Sequence, residues 1–352
     1  EKIESYFGDG SSWGWEIHYS KGPVEWDTGK RIWEARAEID DQFLLLYSDN
    51  FTPFPLDKVI ALHEKNQSSL TFMVAPKKPG NINLNKAGIV QKYNNNRSDK
   101  SLDYVEIGYM IVEKGQTLAF YETSECSFSS VLKKMAVQHQ ISAWIQRDAY
   151  HSISDPGRWK KTEEYLKSKK IILIDRDGVI NKKAPKGEYI RTWEEFEWIE
   201  DTVQVMKKLA QQGYSFIVIT NQAGIARKMV SEKDLARMHQ LMISKLKSEG
   251  IIILDVYVCP HHWDDNCECR KPKAGLFYHI AKEHLLRMDK TLYIGDDVRD
   301  CEAAYNAECG SVLIASNDEY ESVNNKPKWS IGVNRLHDAL PKIELYMSKK
   351  LA

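Results

Sequence analysis

From residue 171 onward, short, mostly apolar runs alternate with amphipathic segments of helical period, and this alternation limits the possible folds more than any other feature. Ile171–Ile174 (IILI), 216–219 (FIVI), 251–258, 292–294 and 312–314 read as buried strands. Between them, residues 201–212 put Val203, Met206, Leu209 and Ala210 on one helical face before Gly213 stops the helix. Ser231, with Asp234 three residues on, is a capping signal for a helix that repeats Leu235, Met238, Met242 and Leu246 and ends at Gly250. Residues 275–287 read as another helix. Strands separated by single helices predict an α/β fold with a parallel sheet covered on both faces. Ligands then sit at the carboxyl ends of the strands.

At 352 residues the chain has room for about two domains of ~150 residues each. The polar stretch 158–168 (RWKKTEEYLKS) lies just before the first strand, so the reading divides the chain into 1–168 and 169–352. Residues 1–168 carry 21 basic and 23 acidic side chains and the remainder 28 and 27, so neither half has the basic excess of a nucleic-acid or membrane-surface binder. No apolar run approaches the ~20 residues of a bilayer span, and the N-terminus lacks a signal pattern, so the cytoplasm is the expected compartment. The first residue is Glu1, which suggests a start inside a longer gene product.

Each strand of the second half is followed at once by chemistry. After Ile174 comes Asp175-Arg176-Asp177-Gly178, and Gly178 permits the immediate turn that would bring both carboxylates to one point. One could attack a phosphorus while the other protonates the leaving oxygen and later activates water; an acidic turn capping the next helix would look the same. Thr220-Asn221-Gln222 can hold phosphate oxygens, or Thr220 can cap a helix. Arg270-Lys271-Pro272 sets two cations at a strand-to-helix junction. Gly295-Asp296-Asp297-Val298-Arg299-Asp300 adds carboxylates at a fourth strand end. Anions crowded into one cleft call for a divalent cation with oxygen ligands, magnesium being the natural choice.

Six cysteines are too few for a disulfide scaffold, and Cys259, Cys267 and Cys269 crowd beside His261. Three thiols and one imidazole suit a closed tetrahedral zinc site with no open position for chemistry, hence a structural one that would order the loop. His262 is the rival imidazole, read as facing solvent or substrate.

The order of these four motifs resembles the haloacid dehalogenase superfamily of phosphotransferases, over about residues 169–345. The resemblance implies Asp175 as the nucleophile that becomes an aspartyl-phosphate, Asp177 as general acid and base, Thr220 as a ligand of the transferring group and Lys271 as its counter-charge. It implies magnesium held by Asp175, Asp296 and the backbone carbonyl of Asp177, with Asp297 or Asp300 tuning that shell. The string CPHHWDDNCECRKPKAG is similar to the loop of the subgroup containing heptose 1,7-bisphosphate 7-phosphatases and histidinol-phosphate phosphatases. Asn221 and Arg270 are then expected to bind substrate, a small sugar phosphate. Histidinol phosphate, another small phosphomonoester, and a noncatalytic sugar-phosphate binder are the alternatives.

Residues 1–165 resemble sugar-1-phosphate nucleotidyltransferases, entered part-way through their fold. The strand-like Phe43-Leu44-Leu45-Leu46-Tyr47-Ser48-Asp49 puts Asp49 at the family's first metal aspartate. The second falls on Ser152, with Asp155 as a possible substitute, and the glycine-rich nucleotide loop is missing. The resemblance therefore implies a partial nucleotidyltransferase-like α/β domain, favoured here as an inactive one that stabilises or dimerises the phosphatase over a truncated active guanylyl- or other nucleotidyltransferase or a sugar-phosphate binding module. A parallel sheet lacking its first strand is expected to expose an edge and apolar surface.

Overall fold

In the computed structural model, which describes residues 2–94, 96–148, 150–185 and 187–351, the chain divides into two units, Glu1–Trp159 and Lys160–Ala352. The helix Pro156–Leu166 crosses the division, so the polar stretch read as the end of the first domain belongs largely to the second unit.

The first unit is built on β1 (Gln42–Leu46), β2 (Asn50–Phe51), β3 (Leu70–Pro76), β4 (Ile82–Leu84), β5 (Val90–Tyr93), β6 (Tyr104–Glu113), β7 (Ile141–Ile145) and β8 (His151–Ser152). Its main sheet runs β5-β4-β6-β3-β7 with β1 also on β6, while β2 and β8 form a separate ribbon. The sheet is mixed, which corrects the parallel one expected. Only β3 and β7 run parallel, and β6 opposes β1, β3 and β4. The strands β4 and β5 are joined by a short turn at Gly88, which allows only antiparallel pairing. Along β3 the side chains alternate. Phe72 and Val74 join Val131 and Met135 of the helix Phe128–Val137, and Met73 and Ala75 join Val59 of the helix Leu56–Asn66. Strand β1 leaves Leu44 and Leu46 about half exposed (44% and 53%), as expected of an uncovered edge.

The second unit carries β9 (Ile171–Ile174), β10 (Ser215–Asn221), β11 (Ile253–Cys259), β12 (Leu292–Gly295), β13 (Gly310–Ile314) and β14 (Ser330–Val333). Their order is β11-β10-β9-β12-β13-β14, and every pairing is parallel. One face buries Ile172, Ile174, Phe216, Val218 and Ile294 against the helices Glu200–Gln211, Glu232–Ser248 and Leu336–Leu351. The other buries Leu173, Ile217, Ile219 and Tyr293 against Gly275–His284 and Val298–Ala307. Strands buried on both faces explain the uninterrupted apolar runs. The strand order reverses at β9, whose neighbours are β10 on one side and β12 on the other. A crevice opens at such a switch point beyond the strand ends. Among the described residues no helix is long and apolar enough to cross a membrane.

Candidate active site

Asp175 and Asp296 are the residues that follow β9 and β12, one on each side of the switch point. The Asp175 N–H donates to the Ile294 carbonyl (2.8 Å), continuing the ladder, and the chain then turns at Gly178, with φ of +90° and its N–H on the Asn181 carbonyl (2.6 Å). A Cβ at 178 would overlap the Asp296 carboxylate, so glycine is required both by conformation and by space.

Lys271 reaches the same point from beyond β11. Its ammonium is 2% exposed and surrounded by Asp175 Oδ1 (3.0 Å), Asp300 Oδ1 (2.8 Å), the Tyr293 hydroxyl (2.6 Å) and the Ile219 carbonyl (3.1 Å). Burial opposes its charge, but Asp175 and Asp300 outweigh that and raise its pKa. Burial drives the Asp175 carboxyl up to about 7, with Lys271 pulling it down and Asp300 and Asp296 pushing it further up.

Asp177 is held by a fork. Arg176 Nε and Nη2 lie 3.1 and 2.9 Å from Oδ1, and Nη2 lies 2.8 Å from Oδ2; Asn181 Nδ2 adds a bond to Oδ1 (2.9 Å) and Gln222 Nε2 one to Oδ2 (2.7 Å). Burial raises its pKa, yet the Arg176 charge and these hydrogen bonds win and hold it below the ordinary value. Gln222 also donates to Thr220 Oγ1 (2.8 Å), and Asn221 brackets the Lys271 backbone, accepting its N–H at 3.2 Å. Asn221 thus positions Lys271 as well as lining the hollow.

The loop after β12 assigns its acids different tasks. Asp300 Oδ2 accepts the backbone N–H groups of Asp296 and Asp297 (3.0 Å each), so Asp300 shapes the loop and anchors Lys271. Asp297 caps the helix Val298–Ala307 and pairs with Arg299, which holds its carboxyl well below the usual range. Asp296 lies beside Asp175 and Asp300 at the edge of the site. Its Oδ2 pairs with Lys183 (2.6 Å), while its buried Oδ1 has no hydrogen-bond partner among the described residues. Burial raises its pKa to about 6 against the pull of Lys183. Arg270 Nη1 is likewise buried without a partner. An unpaired carboxylate oxygen and an unpaired guanidinium nitrogen ask for a cation and an anion respectively.

Asp175, Asp177, Thr220, Asn221, Arg270 and Lys271 line one hollow of about 130 Å³, with Lys183, Asp297, Arg299 and Asp300 completing its wall. It is polar and small, the size of a phosphoryl group rather than of a whole ligand. Oxygens of Asp175, Asp296 and Asp300 lie within 4.8 Å of one another, a fitting set for a hard divalent cation. The sequence motifs do not single out Lys183 or Asn181, and they offer Gln222 as a holder of phosphate oxygens, whereas its amide bonds Asp177 and Thr220. Lys183 lies two residues beyond Asn181 in a surface-like Lys-Lys pair, which carries no signal of its own.

Cys259, His261, Cys267 and Cys269 converge as a second such group. Cys269 Sγ is 3.3 Å from Cys259 Sγ, 3.4 Å from Cys267 Sγ and 3.1 Å from His261 Nδ1. His262 stays outside it, capping the short turn Trp263–Asp265 and packing on Trp263. Among the described residues these two groups are the ones close enough to share an ion, and Asp49 belongs to neither. The ribbon β2·β8 aligns Asn50 with Ser152, so Ser152 does lie beside the end of Asp49's turn. Asp155 instead caps the helix Pro156–Leu166 through the N–H groups of Gly157 and Arg158 and does not replace a metal carboxylate.

A parallel sheet with paired acids, a hydroxyl and a buried lysine at its switch point defines a phosphoryl-transfer site of haloacid dehalogenase type. The family model described as polynucleotide kinase 3 phosphatase matches residues 170–343. A D-glycero-alpha-D-manno-heptose-1,7-bisphosphate 7-phosphatase of Mycobacterium tuberculosis is 35% identical over 150 residues, covering 41% of this chain and 76% of that protein. A D-glycero-beta-D-manno-heptose-1,7-bisphosphate 7-phosphatase of Pseudomonas aeruginosa is 34% identical over 147 residues, covering 42% and 82%. A solved D,D-heptose 1,7-bisphosphate phosphatase of B. bronchiseptica, complexed with magnesium and phosphate, aligns over 50% of this chain and 98% of its own, with 26% identity and a TM-score of 0.46. Through its second unit, the chain belongs to the heptose-1,7-bisphosphate 7-phosphatase family.

Proposed function

We propose that this chain is a magnesium-dependent phosphatase that removes the 7-phosphate of a D-glycero-D-manno-heptose 1,7-bisphosphate and leaves heptose 1-phosphate for nucleotide activation. The observation that carries the reading is the meeting of Asp175, Thr220, Lys271 and Asp296 at one switch point, in a chain 35% identical to a phosphatase of that name. Relatives named for the alpha and the beta anomer are about equally similar, so similarity does not select the anomer.

In this mechanism an Asp175 oxygen attacks phosphorus as the bond to the sugar oxygen breaks, and Asp177 passes a proton to that oxygen. Asp177 then takes a proton from water, the water oxygen attacks phosphorus, and the bond to Asp175 breaks. Lys271 and Arg270 neutralise the phosphoryl oxygens, and the Thr220 hydroxyl orients them. Asp175 and Asp296 would hold magnesium, which supplies further charge neutralisation at the transferring group. Asp300, whose oxygens already accept four groups, acts through the shape of the loop. Asp177, held as a carboxylate by Arg176, is ready for the hydrolytic half-reaction; an incoming phosphate dianion raises its affinity for the proton that the first half-reaction needs.

The four-ligand loop would hold structural zinc, supported by its gathered sulfurs and imidazole. The first unit is read as a nucleotidyltransferase-like domain without that activity, with the exposed edge of β1 as a candidate oligomer contact and the cytoplasm as compartment. Phosphate release from heptose bisphosphate, histidinol phosphate, a 3′-phosphorylated oligonucleotide and an aryl phosphate, with and without magnesium, is the test. Preference for heptose bisphosphate is expected, and inertness toward all four overturns the reading in favour of a noncatalytic binder.

A further inference from the structure

Among the described residues Arg176 is the largest fully buried side chain, at 1% exposure, and in sequence it stands between the two aspartates of the site. Three of its bonds make the fork on Asp177. The remaining nitrogen, Nη1, points the other way, to His239 Nε2 (2.9 Å) and toward Met238 Sδ (3.6 Å), both on the helix Glu232–Ser248. A guanidinium can only donate, so Nε2 is the acceptor and the imidazole carries its proton on Nδ1. The imidazole is 8% exposed, and its other side helps line a mostly apolar hollow of about 220 Å³ with Ile225, Leu235, Ala236, Val258 and Pro260. Burial and the adjacent guanidinium push its pKa down to about 3, so it remains the neutral acceptor the bond requires.

We propose that His239 is a positioning residue for phosphoryl transfer: by taking one N–H of Arg176 it fixes the plane of the guanidinium fork, and the fork fixes the Asp177 carboxylate where the leaving oxygen receives its proton. This rests on the reading of Asp177 as the general acid. Arg176 is joined to Asp177 by adjacent backbone, so their pairing alone leaves the two side chains free to rotate together. Asn181 and Gln222 hold the Asp177 carboxylate from one side, Gln222 linking it to Thr220, and the bond to His239 holds the guanidinium from the other by tying it to a separate helix. Sequence periodicity puts Met238 on the buried face of that helix but says nothing of what His239 touches.

The test uses the leaving group, because an alkyl alkoxide needs the proton from Asp177 and a p-nitrophenolate does not. Single-turnover cleavage is measured on the full chain with a sugar or glycerol phosphate and with p-nitrophenyl phosphate. His239→Leu is expected to lower the alkyl-to-aryl rate ratio about tenfold, part of the 10²–10⁴ that a positioned acid supplies, and His239→Gln, whose amide oxygen can take the place of Nε2, to restore it to within about twofold. His239→Asn, too short to reach Arg176, carries the same expectation if the leucine variant does not fold. An unchanged ratio in the leucine or asparagine variant, or a glutamine variant that does not restore it, overturns the proposal. Asp177→Asn is the control. If it also leaves the ratio unchanged, Asp177 is not the acid and the proposal falls with that reading; if it collapses the ratio while the His239 variants do not, the acid stands and the role of His239 alone is refuted.

Discussion

Lys271 is the side chain on which the charge balance of the site turns. A fully buried ammonium is tolerable here because Asp175 and Asp300 both contact it, and each of them is tolerable because it does. Replacing it with methionine fills the volume but leaves two buried carboxylates unpaired, a change that costs about 3–5 kcal/mol. Lys271→Met is therefore expected to lose that much in urea unfolding and to lose turnover. Asp175→Asn relieves crowding instead of creating it. That variant is expected to unfold no more easily than the parent while phosphate release falls at least about a thousandfold, since it lacks the nucleophile. Near-parental turnover would end the covalent mechanism. The acids also set a pH dependence. Asp175 and Asp296 are raised to about 7 and about 6, above the ~3.9 of an unfolded aspartate, so the folded state binds protons that the unfolded chain has already released. Their stabilising contribution is complete below pH about 4 and is lost as pH rises through 6 and 7. Asp296→Asn, which removes one of these carboxyls, is expected to lose less Tm than the parent between pH 5 and 8 at low metal. A steeper fall in the variant contradicts this assignment. At this scale the strand-end residues were legible because an apolar run followed at once by Asp, Thr or Lys has few structural meanings. Lys183, the pair Arg176–His239 and the bond of Gln222 to Asp177 were not, because their roles depend on what lies across the site from them.

The elements were legible in proportion to how completely they are buried. The strands β9, β10, β12 and β13 are covered on both faces and appear in the sequence as apolar runs, with ends within two residues of those expected, whereas the edge strand β11 exposes Leu254 and Asp255. The strand β14 is half-buried throughout, and the helix Leu336–Leu351 contains Pro341, so neither carries a clear periodic signal. In the first unit the repeated apolar runs were visible but their direction was not, because strand polarity depends on connections that composition does not encode. The loop between β11 and the helix Gly275–His284 is the element in which a ligand set replaces a core. Its one large apolar side chain, Trp263, is half exposed, and Lys271 follows Cys269 by two residues. Cys267→Ser is expected to lower bound zinc measured by elemental analysis, to make residues 260–270 sensitive to protease, and to reduce turnover about tenfold by loosening Arg270 and Lys271. Zinc content and protease resistance equal to those of the parent would remove the metal from this loop. The turn at Gly178 has a stricter requirement. Gly178→Ala puts a Cβ against Asp296 at a positive φ, and it is expected to weaken magnesium binding in calorimetry while leaving zinc content unchanged.

At the scale of the whole molecule, the apolar clusters are each drawn from one unit. Those around Phe72 and Met73 contain only residues before 160, and those around Ile174 and Leu173 only residues after it. Every side chain assigned to phosphoryl transfer, and the four Cys and His side chains proposed to hold zinc, lie in Lys160–Ala352. A unit with its own core and its own complete site is expected to work as a separate chain. Residues 160–352 expressed alone should therefore release phosphate from heptose bisphosphate at a rate within about twofold of the full chain, since nothing that positions Asp175, Asp177 or Lys271 is removed. A loss beyond tenfold would assign the first unit a catalytic contribution that its side chains do not suggest. The first unit invites the converse experiment. Asp49 sits in the turn between β1 and β2 with Ser152 nearby and Asp155 engaged at a helix cap, so among the described residues the paired carboxylates a metal-borne nucleotide requires are not assembled there. Incubating the full chain with heptose 1-phosphate, GTP or another NTP and magnesium should yield no sugar nucleotide. Ser152→Asp, which restores a second carboxylate beside the turn, tests whether that serine limits metal binding. Manganese bound at the first unit of this variant, and absent from the parent, would identify the missing carboxylate as what limits metal binding there.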